Sequence, residues 1–201
     1  MKISLFSDES ARLLALLIMA LVFFAGAVGG CLTAVYAIPG DTVLAHMNAY
    51  LAQITEAIRI DWRTAAVDVF LYPGMVFLLG YTRPGVVCIP VVVAAKGFFF
   101  SFSVAVFVRM YGTSGILLAL GSLGVPNLVT LPCLFFLAAF GFDSARHLLT
   151  ASGGAGKQPG GLLGMHYFTR FAICAAFLLP AAAYGALLSG RVVRFIAPMV
   201  L

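Results

Sequence analysis

Lys96 is an ammonium in the middle of the apolar run 86–108. At the bilayer centre such a charge costs about 2.5–3.5 kcal/mol. It is therefore paired internally, led to the interface along its own stem, or used on an ion or substrate pathway. Asp68, near the start of the run 64–81, is the candidate partner, and whether the two pair stays open at this point. Asn127 stands directly after Pro126, where it can take up carbonyls that a proline leaves without a donor.

Other residues with reactive side chains form no catalytic set. An intramembrane aspartyl protease needs two facing carboxylates, and Asp68 has only Asp143, at a span end, to offer. A zinc protease needs the helical His-Glu-x-x-His pattern, which is absent from the chain. His46, His147 and His166 fall in loops or at span ends, away from any serine at spanning depth. Cys31, Cys88, Cys133 and Cys174 lie far apart in separate apolar runs, match no metal spacing and read as small packing residues. The stretch 152–157, Ser-Gly-Gly-Ala-Gly-Lys, imitates a phosphate loop but continues with Gln158 where a Ser or Thr is required, so it reads as a flexible linker. The expectation is a chain without enzymatic activity, metal or cofactor.

The elements that position these residues follow from composition. Of 201 residues, 63% are hydrophobic and 9% charged, against about 45–50% and about 25% in soluble domains. Lipid must be the main solvent. The net charge of +5 comes from single Lys and Arg residues at the ends of apolar runs, with no stripe to track a phosphate backbone, which excludes nucleic acid and fits anionic lipid.

A bilayer core needs about 20 apolar residues per helix. The pattern predicts an all-α integral membrane protein with about five transmembrane helices, at 13–37, 64–81, 86–108, 114–142 and 168–188, in one polytopic domain over 1–201. The run 114–142 is too long for a straight span and carries Gly124, Pro126 and Pro132. It is read as one kinked helix or, preferably, as a helix broken between Gly124 and Asn127. A tight turn is expected over 82–85, and another over 111–113. Between the first two spans, Leu44, Met47, Leu51, Ile54 and Ile58 recur every three or four residues, an amphipathic interfacial helix over 43–60 that offers a docking face for a partner. Basic residues divide six to five across the turns, a margin of one toward an N-terminus inside that leaves orientation open at this point. Gly26 with Gly30, and Gly97 with Ser101, are small-residue pairs at helical spacing that mark close packing, with room for a second copy of the chain.

One ordered set of residues goes further. Val76-Phe77-Leu78-Leu79-Gly80 is followed by Lys96-Gly97-Phe98 and Phe102-Ser103-Val104. Then come 111–119 (Tyr-Gly-Thr-Ser-Gly-Ile-Leu-Leu-Ala), Asn127-Leu128-Val129 and Pro132. In order and spacing these resemble the stage II sporulation protein M family over 70–142, a third of the chain. The family's Pro-x-Asn departs here to Pro126-Asn127, with the interval to Pro132 retained. The resemblance implies a multi-pass protein of endospore-forming bacteria, located in the septal and engulfing membrane of the mother cell. Its implied role is a non-catalytic scaffold for stage II sporulation proteins D and P, which degrade peptidoglycan outside the membrane. The alternative class is a permease-like subunit of an export system, which Lys96 beside an interrupted helix would suit.

Overall fold

A computed structural model describes residues 3–36, 62–150 and 162–187, and the regular elements among them are all helical. They are α1 (Ile3–Tyr36), α2 (Trp62–Gly80), α3 (Gly85–Ala119), a π-turn (Leu120–Gly124), α4 (Val125–Thr150) and α5 (Leu162–Leu187). Among the described residues three segments are long and apolar enough to cross a bilayer: Leu13–Tyr36, Gly85–Thr113 and Val125–Arg146. Two shorter apolar segments, Ala66–Gly80 and Phe168–Tyr184, accompany them. The amphipathic segment 43–60, with Leu44, Met47, Leu51, Ile54 and Ile58, and the linker 152–157 lie outside the described residues.

The surface of α1 is inverted relative to that of a helix in water. Leu14, Leu17, Leu21, Phe24, Val28 and Leu32 form an apolar stripe at three- and four-residue spacing, and every one of them is exposed. The opposite face packs inward through Ala15, Met19, Phe23 and Ala34. Met19 and Phe23 join Val76 of α2, Ile89 and Val93 of α3, and Leu134 and Leu137 of α4 in the main core cluster. A smaller cluster joins Val69 of α2 to Leu178 and Ala181 of α5.

Among apolar tails, helices gain little by hiding apolar surface from one another, so close backbone approach has to supply the association energy. The seam between α1 and α3 is built that way. A Cβ at Gly26 would run into the Ala94 carbonyl, one at Gly30 into the Phe98 carbonyl, and one at Gly97 into the Phe23 carbonyl. These contacts also show that α1 and α3 run in the same direction. α2 opposes them through the turn at 81–84, where Thr82 N–H donates to the Leu79 carbonyl at 3.0 Å and the Thr82 hydroxyl donates to the same oxygen at 2.8 Å. Pro84 then opens α3 without needing a donor of its own. At the far end, Arg109 donates to the Ala34 carbonyl at 2.8 Å, capping the last turn of α1.

The reversal expected at 111–113 is made by Gly112, whose φ of 58° and ψ of −133° only glycine adopts freely. Beyond it the chain doubles back, bringing Gly115 against the Phe107 carbonyl with no room for a Cβ. From there to Thr150 the structure corrects the expectation of a break between Gly124 and Asn127. Ala119, Leu120 and Val125 are all helical in φ and ψ, and the irregularity is the π-turn at Leu120–Gly124. Of the two readings of 114–142, one continuous helix is the one found. Pro126 explains why. It has no N–H for the carbonyl four residues back and its ring would strike that carbonyl. Widening one turn relieves both, and Val125 N–H accordingly donates to Leu120 instead of Gly121. The Gly121 carbonyl so released accepts from the Tyr184 hydroxyl at 3.1 Å, which ties the π-turn to α5. Pro132, farther along α4, also sits inside a continuous helix.

Candidate functional site

The irregular turn opens onto a cavity of about 330 Å³ between α2, α3 and α4, lined by Asp68, Tyr72, Lys96, Leu123, Asn127 and Thr130 among others. Its depth follows from the α1–α3 seam. Gly97 lies against Phe23, and the apolar stretch Leu13–Tyr36 has its midpoint one residue beyond Phe23. Lys96 therefore stands level with the middle of α1.

Lys96 reaches the cavity from α3, and its Nζ sits 4.9 Å from the centre of the Tyr72 ring, a cation–π contact across to α2. Tyr72 is one helical turn after Asp68, so both point from α2 to the same side. Asp68 and Lys96 act on each other as opposite charges across the cavity. Asp68 is exposed and Lys96 half-buried, which puts the carboxylate at the mouth and the ammonium farther in.

Asn127 and Thr130 form the α4 wall. Asn127 is 8% exposed, and its Nδ2 donates to the Leu123 carbonyl at 2.7 Å. That bond fixes the amide plane and leaves Oδ1 buried without a hydrogen-bond partner among the described residues. Thr130 is 2% exposed and donates its hydroxyl proton to the Pro126 carbonyl at 2.8 Å. Both side chains therefore bond back to the chain one turn earlier, which leaves the Asn127 Oδ1 and the Thr130 Oγ1 as acceptors at the cavity.

The structure thus gathers Lys96, Asp68 and Asn127, with Pro126 in the first turn of α4, in one cavity. Gly26, Gly30 and Gly97 lie along the α1–α3 seam instead, and Gly80 is buried at the end of α2. Tyr72 and Thr130 were not legible as site residues. Their only signal is periodic: Tyr72 follows Asp68 by four residues, and Thr130 follows Asn127 by three. The Phe98–Phe99–Phe100 cluster is bundle and surface bulk. Phe98 stacks on Phe102 and lies over Gly29, while Phe99 is exposed. Cys133 of α4 and Cys174 of α5 are free cysteines close enough to influence each other. Among the described residues no group of three or more His, Cys, Asp or Glu could hold a metal ion.

Comparison with protein-family models, with curated proteins and with solved structures finds no match to this chain. Among the described residues, fold and cavity thus define an all-helical protein with three membrane-length apolar helices and a polar cleft between α2, α3 and α4.

Proposed function

We propose that this chain is a non-catalytic membrane scaffold that crosses the bilayer five times and holds extracytoplasmic peptidoglycan-degrading enzymes at the septal membrane during endospore engulfment. The observation that carries this reading is the ordered residue set over 70–142, whose order and spacing resemble the stage II sporulation protein M family. Four residues of that set have a packing or turning task here, which supports reading it as a framework. Gly97 allows α3 to meet α1, Gly112 turns the chain, Gly115 permits the return, and Pro126 with Asn127 shapes the π-turn. The partners implied are stage II sporulation proteins D and P, together with the surrounding lipids, and the amphipathic segment 43–60 is the docking element.

Purification from sporulating cells, followed by identification of what accompanies the chain, tests the proposal. Wall hydrolases are expected. Replacing Leu51 and Ile54 by Asp should abolish their co-purification while the chain stays in the membrane fraction, and unchanged co-purification would exclude 43–60 as the docking site. The cavity favours a second reading, a permease-like subunit, since a polar site within an apolar helix bundle is a feature of transporters. An ATPase subunit in the same purification, in place of hydrolases, would select it.

A further inference from the structure

We propose that the cavity between α2, α3 and α4 binds a small zwitterion carrying a primary ammonium and an anionic phosphate or carboxylate group. Its wall is divided by hydrogen-bonding character. Lys96 supplies donors, with the Tyr72 ring flanking its Nζ at 4.9 Å. Asp68, Asn127 and Thr130 offer acceptors. The proton of Thr130 is already committed to Pro126 and one of the two Nδ2 hydrogens of Asn127 to Leu123. The Oδ1 of Asn127, on a residue 8% exposed, is the buried acceptor that lacks a donor. Leaving such an atom unpaired costs about 1–3 kcal/mol, and an N–H group brought in by a ligand relieves it.

Charge narrows the ligand class. A simple cation attracted by Asp68 meets repulsion from Lys96, and a simple anion attracted by Lys96 meets repulsion from Asp68. A molecule with both signs satisfies both, its anionic end on Lys96 and its ammonium on Asp68 and Asn127. The ammonium must carry hydrogens. A trimethylammonium group has none to donate to the Asn127 Oδ1, so an ethanolamine group fits where a choline group does not. At about 330 Å³ the cavity is at the small end of ligand sites, large enough for a headgroup or an amino acid. Asp68 and Leu71 are exposed at its mouth on α2, so the group enters either on a lipid that approaches sideways or as a free solute.

The full-length protein in nanodiscs of mixed phosphatidylethanolamine and phosphatidylcholine provides the test, with bound lipid counted by native mass spectrometry. In parallel, thermal shifts are read in detergent with added O-phosphoethanolamine or phosphocholine. The expected result is a preference of roughly tenfold for the ethanolamine form over its choline counterpart, the size of one to two hydrogen bonds. Retained lipid without a solute effect identifies a lipid headgroup as the source, and a shift with O-phosphoethanolamine identifies a free zwitterion. Asn127→Leu should remove the preference, and Lys96→Met should remove binding. Equal binding of ethanolamine and choline forms by the unmodified protein, or binding of neither, overturns the proposal without any variant. Because no scaffold partner enters this experiment, its outcome is independent of the function proposed above.

Discussion

Two glycines on facing helices, Gly26 of α1 and Gly97 of α3, do the same work. Gly26 and Gly97 are small because a carbonyl of the facing helix occupies the place of the missing side chain, whereas a Cβ at Gly29 would meet only the Phe98 ring at 3.7 Å. Gly26→Leu should therefore destabilise the fold by about 1–3 kcal/mol through overpacking, and Gly29→Ala should be close to neutral. Thermal unfolding in detergent, followed by size-exclusion profiles, measures the difference. Tyr184→Phe removes the donor that serves the carbonyl freed at Gly121, and should cost about 0.5–1.5 kcal/mol in the same assay. Lys96, Asp68 and Asn127 were legible from the sequence because each is polar within an apolar run. Tyr72 and Thr130 were not, since both residue types are at home in spanning helices and acquire a role only when three helices converge.

Among the elements, the apolar runs were legible and the interruption was misplaced in kind. Gly124, Pro126 and Asn127 in four residues carry every mark of a break, because propensity counts lost hydrogen bonds within a straight α-helix. It does not count a π-turn, which lets the helix continue, nor a tyrosine from α5 that accepts the duty of satisfying the released carbonyl. Pro126→Ala restores the missing N–H, so the π-turn should revert toward α-helix and rotate α4 by roughly one residue, about 100°, relative to the helix before it. Cys133 and Cys174 provide the readout. In the native chain, mild oxidation should join α4 to α5, so that cleavage at a protease site placed within 151–161 leaves both halves in one band on a non-reducing gel. The Cys174→Ala chain should fall into two bands, and Pro126→Ala should lower the yield of the joined form.

For the molecule as a whole, direction is the decisive property. Contacts of Gly26 with Ala94, of Gly85 with Ala145, and of Gly121 with Tyr184 set α1, α3 up to Gly112, and α5 parallel, with α2 and α4 opposed. If all five helices cross the bilayer, reporters fused in the turn at 81–84 must lie on the side of the N-terminus, and reporters near Gly112 on the other. Alkaline phosphatase and fluorescent-protein fusions at the two positions should give opposite signals, and like signals would reduce the number of crossings. The basic residues divide too evenly for orientation itself to be legible in the sequence.

The parallel pairing of α1 with α3 also has a consequence for how the protein is made. The seam partner of α1 begins at Gly85, 49 residues after α1 ends at Tyr36. At about 5–20 residues per second of synthesis, the glycine-lined face of α1 waits in the membrane for several seconds before its own partner emerges from the ribosome. During that interval any other glycine-faced helix nearby, including the α1 of a neighbouring nascent chain, competes for the same seam. Synthesis rate and local crowding at the translocon thereby become determinants of whether the chain closes on itself or on a copy.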